Sequence, residues 1–132
     1  LLNALFKKIL NGAEIVAMHK NKYWHSGNGL TLDLGAFVAA LEFATEKEAV
    51  VIGKPNPHLF QLAVKPWGLS FQSIYMVGDD IGGDIGGANN VGMQSILVKT
   101  GKYREESLKR SEITPDFIIN SVADLPELLQ LN

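Results

Sequence analysis

The chain has 132 residues, enough for one domain or one domain plus part of another, and 46% of them are hydrophobic, which can support a core. A formal net charge of −2 leaves no electrostatic case for nucleic acid, and no run of about 18 apolar residues marks a membrane span. The absence of cysteine excludes disulfides, zinc thiolates and thiol nucleophiles, and suits a cytoplasmic protein.

Residues 1–10 set Leu1, Leu2, Leu5, Phe6 and Ile9 on one face at helical spacing, and Asn11-Gly12 stops the pattern. No small-residue cleavage site follows, so the stretch does not read as a signal peptide. It opens on Leu1 rather than Met, and the expectation is a natural chain that begins further upstream. Glu14 to Met18 reads as a strand. His19 to Gly29 is polar and turn-rich, with Tyr23, Trp24 and His25 embedded in it. Those side chains could touch a substrate, but a strand-end His19 and a packing Trp24 are the simpler reading. Asp33 caps a predicted helix over 34–44, where Leu34, Phe37, Val38 and Leu41 keep the core spacing. A charged loop, Thr45 to Glu48, leads to a short strand, Ala49 to Ile52. This αββαβ rhythm fills residues 1–52.

The rhythm changes at Gly53-Lys54-Pro55-Asn56-Pro57. Asn56 is a good N-cap and Pro57 suits the first helical position, so a helix runs to about Lys65, with Pro66 and Gly68 beyond it. Strands are predicted at 74–77, 94–98 and 117–119, and helices at roughly 84–91, 104–110 and 122–130. The last is announced by a capping-box pattern, Ser121 to Asp124. This α-β-α-β-α-β-α order over 53–132 predicts the α/β class, with a parallel sheet covered by helices.

The segment Ile74-Tyr75-Met76-Val77-Gly78-Asp79-Asp80-Ile81-Gly82-Gly83-Asp84 organises that region. An apolar strand ends in Gly78, and Asp79, Asp80 and Asp84 follow at the carboxyl edge, where open α/β sheets bind ligands. Three close acids repel, and hard oxygen donors without Cys or His suit Mg²⁺. The plainer reading is a solvated acidic turn with Asp84 as a helix N-cap. Lys54 lies about 25 residues before Asp79, one helix and one strand away. A right-handed crossover brings both loops to the same sheet edge, where a lysine can neutralise phosphate. Taken alone, Lys54 is an ordinary loop lysine. Lys99, Thr100 and His58 read as ordinary surface residues. The glycines of 82–87 miss the dinucleotide spacing and instead let the helix start approach the strand.

Gly53-Lys54-Pro55-Asn56-Pro57, then Met76-Val77-Gly78-Asp79-Asp80 with Asp84, resembles the third and fourth motifs of the haloacid dehalogenase (HAD) superfamily. The run from Leu30 to Thr45 and the run Val98-Lys99-Thr100-Gly101-Lys102-Tyr103 are similar to its NagD-like branch, subfamily IIA. The resemblance implies a HAD-like Rossmannoid core. Residues 1–52 would be the C-terminal part of a C2-type cap, and residues 53–132 the C-terminal half of the core. It implies Mg²⁺-dependent hydrolysis of a small phosphorylated metabolite through an aspartyl-phosphate. Lys54 would steady phosphoryl charge, Asp79 and Asp84 would bind Mg²⁺, and Asp80 would be a neighbouring acid. The family's first motif, Asp-x-Asp-Gly-Thr, does not occur in this sequence. A phosphatase part that is inactive alone, or a non-catalytic metal- or partner-binding module, would fit that. A receiver-type phosphoacceptor fits less well, because there the acidic pair precedes the lysine. The nucleophile strand of the family lies beside the strand at 74–77, so an open edge and self-association are expected.

Overall fold

A computed structural model describes residues 1–130, with all their side chains except that of His25. Two compact units divide at Gly53 and Lys54. Among the described residues, no helix is long and apolar enough to cross a membrane.

The first unit runs α1 (Leu2–Leu10), β1 (Val16–Ala17), β2 (Tyr23–Ser26), β3 (Gly29–Leu32), α2 (Leu34–Thr45) and β4 (Val50–Val51). The apolar stripe of α1 buries Ile9 against Ile15 and Leu41, with Phe6 and Ala49 packed alongside. β1 and β4 pair in parallel, Val16 opposite Val50. Asp33 caps α2 as its position predicts, accepting from the Leu34 amide at 2.7 Å. The segment read as a polar loop differs: β2 and β3 form an antiparallel hairpin, Tyr23 opposite Leu32 and Ser26 opposite Gly29. Gly27-Asn28 is a two-residue hairpin connector, a signal that the surrounding polar residues masked. Trp24 is half-exposed on β2 and belongs to none of the buried clusters. His19 follows β1, with Nε2 3.9 Å from Asp33 Oδ1. The side chain of His25 lies outside the described set.

The second unit runs α3 (Pro57–Val64), β5 (Tyr75–Gly78), α4 (Gly87–Val91), β6 (Gln94–Val98), α5 (Glu105–Arg110), β7 (Phe117–Ile119) and α6 (Leu125–Leu128). Its sheet is parallel, in the order β5-β6-β7. Successive strand residues face opposite sides, and β5 shows it. Met76 packs with Phe60, Val64, Ala88 and Met93 from α3, α4 and the turn after α4. Val77 packs with Ile96, Val98 and Ile119, beside Leu125 and Leu128 of α6. Both faces are therefore covered, and Ile96-Leu97-Val98 of central β6 are apolar without alternation for that reason. Gly87 lets α4 close on α3, because a Cβ there would lie 2.5 Å from Phe60 Cζ.

Two helix starts bear on the site. Asn56 caps α3 by accepting from the His58 amide at 2.9 Å, with Pro57 as first residue. The helix after β5 begins earlier than predicted, as a wide π-helical turn over Ile81–Gly86 that leads into α4. Its cap is Asp80 and not Asp84. Ser121 and Asp124 form the capping box foreseen, ahead of a short turn and α6.

Candidate active site

β5 delivers Asp79 and Asp80 off its carboxyl end, and the wide turn brings Asp84 back beneath them. Asp84 is only 4% exposed. A carboxylate at that depth needs compensation, and every oxygen has it. Oδ2 accepts from the amides of Asp79 and Asp80, each at 3.2 Å. Oδ1 pairs with Lys54 Nζ at 2.5 Å. Gly78 has to be a glycine here, since a Cβ would overlap the Asp84 carboxylate. Lys54 arrives from the start of the unit by the α3 crossover, and its side chain remains half-exposed.

Asp80 is fully engaged as well. Its Oδ1 accepts from the amides of Gly82 and Gly83 at 3.1 and 3.0 Å, and Oδ2 pairs with Lys102 Nζ at 3.1 Å. Burial pushes its carboxyl up, but the Gly83 amide, the Lys102 ammonium and the Gly82 amide outweigh that and hold it below the usual carboxylate value. Asp79 is different. Its Oδ2 accepts from the Lys102 amide at 2.7 Å, and Oδ1 has no hydrogen bond to any described residue.

These contacts change the argument from repulsion. Lys54, Lys102 and five backbone amides already neutralise the acids, so no metal is needed to keep them together. Among the described residues, no three of His, Cys, Asp and Glu group closely enough to hold a metal ion. Asp79, Asp80 and Asp84 are thus not a single three-acid shell. The donor set still fits Mg²⁺: it is all hard oxygen, Asp79 keeps one oxygen open, and Mg²⁺ commonly takes one or two carboxylates and completes its shell with water.

Lys54, Asp79, Asp80 and Asp84, all singled out by sequence, come together in one cluster. Lys99, Thr100 and His58 are exposed and outside it. Gly101 and Lys102 were not singled out as site residues, although they stand in the run 98–103 that carried part of the resemblance.

A cluster of lysine and aspartates at the carboxyl edge of a parallel sheet defines an α/β protein with charged groups where such sheets bind ligands. The chain belongs to the HAD-hydrolase-like family, whose profile matches residues 51–125. It is 47% identical over 104 residues to haloacid dehalogenase-like hydrolase domain-containing protein 2 of Bos taurus, covering 79% of this chain and 40% of that protein. A 4-nitrophenylphosphatase from Thermotoga maritima matches its fold with a TM-score of 0.85 at 31% identity, over 96% of this chain and 49% of the other. Glycerol phosphate phosphatase from Mycobacterium tuberculosis, solved in complex with magnesium, matches with a TM-score of 0.81 at 32% identity, over 94% and 38%. The chain thus spans between 38% and 49% of the length of these proteins.

Proposed function

We propose that this chain is the part of a Mg²⁺-dependent phosphoric monoester hydrolase that carries Lys54 and the acids of the metal site. Residues 1–52 belong to its cap and residues 53–132 to its core, and its substrate is a small phosphorylated metabolite. The observation that carries this reading is the Lys54 Nζ to Asp84 Oδ1 pair at 2.5 Å, beside the open oxygen of Asp79. It is supported by two relatives that are phosphatases, one of them in complex with magnesium.

Asp84 holds the Lys54 ammonium at the sheet edge, where it can draw phosphoryl charge. Asp79 would hold Mg²⁺ through its open oxygen, and Asp80 would add negative charge nearby. Asp84, whose oxygens Lys54 and two amides occupy, would support the ion through water. When bound, the ion supplies positive charge to the phosphoryl oxygens, which is where most catalysis of this transfer lies. In the covalent route a carboxylate attacks phosphorus, the ester P–O bond breaks, and the departing alkoxide takes a proton from an acid. Both of those groups belong to the Asp-x-Asp-Gly-Thr motif, so on this reading they come from residues outside this sequence. We further propose a cytoplasmic location and self-association along the outer edge of β5. The alternative, a non-catalytic metal- or partner-binding module, draws on the absence of that motif from the sequence.

The test is to express the chain together with the coding sequence upstream of Leu1 and assay release of phosphate from 4-nitrophenyl phosphate. Mg²⁺-dependent release is expected. Lys54→Ala should cut it by about 100-fold or more, as loss of an electrostatic stabiliser does, and should lower the melting temperature as well, since buried Asp84 loses its ammonium. No release from the longer chain favours the binding module.

A further inference from the structure

The loop after β6 holds the acids at the end of β5 in two ways. Thr100 to Tyr103 closes as a turn, the Tyr103 amide donating to Thr100 O at 2.9 Å. Gly101 takes φ +51 within it, a left-handed conformation that favours glycine. This turn aims the Lys102 amide at Asp79 Oδ2, 2.7 Å away, and sends the Lys102 ammonium to Asp80 Oδ2, 3.1 Å away. The Asp79 carboxylate lies directly over Gly101. A Cβ on residue 101 would overlap Asp79 Oδ2 and come within 3.0 Å of its Cγ. The observed Asp79 rotamer and any side chain at position 101 exclude each other.

An aspartate in a turn can swing about two torsions. Here a charge-assisted hydrogen bond fixes one oxygen, and the bare Cα of Gly101 gives the carboxylate its seat. The Lys102 ammonium pairs with neighbouring Asp80 and not with Asp79. Losing a partner that orients a metal-binding side chain typically costs about 10- to 100-fold in metal affinity. We infer that Gly101 and the Lys102 amide are positioning elements for Asp79, fixing Oδ2 so that Oδ1 is presented to Mg²⁺. The inference rests on the proposed role of Asp79 as a ligand.

Calorimetric Mg²⁺ titration of this chain tests it. Gly101→Ala should weaken binding by about 10-fold or more, the range seen when supports of a metal ligand are removed. Gly68→Ala is the control for backbone strain: Gly68 has φ +63, and a Cβ there meets nothing within 4 Å. It should bind Mg²⁺ as wild type does. Lys102→Met keeps the amide and loses the ammonium, and it too should not weaken binding. The inference is overturned if Gly101→Ala titrates like wild type while Asp79→Asn loses binding. Equal weakening in Gly101→Ala and Lys102→Met also overturns it, since charge and not orientation would then be the cause. Indistinguishable titrations of wild type and Asp79→Asn remove Asp79 as a ligand, and the inference with it.

Discussion

Each unit of the chain carries a lysine–carboxylate pair of the same length. Lys20 Nζ lies 2.5 Å from Glu42 Oε2 in the first unit, and Lys54 Nζ lies 2.5 Å from Asp84 Oδ1 in the second. Their surroundings differ. Glu42 stands alone on α2, and its other oxygen accepts from the Ala49 amide at 2.9 Å, tying the helix to the strand that follows. Asp84 sits deeper, collects two amides, and has two further acids and a second lysine within the same few residues. A lone pair can be explained by the fold it fastens. A buried, crowded set of charges costs desolvation that a fold alone does not require, and such crowding marks functional sites. The length of an ion pair says nothing about which kind it is.

Turnover gives the largest contrast. In the longer, active protein, Lys54→Ala should lose about 100-fold or more in rate, whereas Lys20→Ala should lose almost none. Comparable losses in the two variants would erase the distinction. Stability comes next. Asp84→Ala leaves the Asp79 and Asp80 amides without their acceptor, and about 2 kcal/mol of destabilisation is expected by denaturant unfolding. Glu42→Ala, at a more exposed carboxylate, should cost under about 1 kcal/mol. The reverse order would mean that the first unit holds the more critical pair.

The sequence exposes one side of this contrast better than the other. Lys54 and Asp79 are legible because Gly, Pro and Asn punctuate one loop and an apolar strand ends at the other, so topology alone joins them. Lys102 is not legible from its own residue type. Lys99 lies three positions earlier in the same loop, and only the turn at Thr100 and Gly101 decides which of the two lysines reaches the acids. Asp80 and Asp84 are equally good caps by composition. What separates them is tertiary: Asp84 is buried against Lys54, which leaves Asp80 to accept from the helix start. The β2–β3 hairpin is not legible because its strands mix polar and apolar residues, and β3 is mostly exposed, so burial imposes no clean alternation.

Acid should sharpen the comparison by a smaller amount. The Lys20 hydrogen bond, with the Ala49 amide, outweighs burial and holds the Glu42 carboxyl below its ordinary value of 4.5. A depressed carboxylate contributes stability above its unfolded value and loses it as pH falls through the folded one. The wild-type melting temperature should therefore fall below about pH 4.5, and Glu42→Gln should flatten part of that slope while starting lower at neutral pH. An unchanged slope would mean that Glu42 is not tied to Lys20 in solution. Smaller still is the expected self-association through the outer edge of β5, which no other described strand pairs. Light scattering that finds only monomer at high concentration would count against it.

The most direct test of the account is calorimetric Mg²⁺ titration of this chain beside its Asp79→Asn variant. The chain should bind Mg²⁺ weakly through carboxylate and water, and Asp79→Asn should abolish most of the heat. Identical titrations would contradict the claim, and would leave the acids after β5 as a turn that Lys54 and Lys102 merely neutralise.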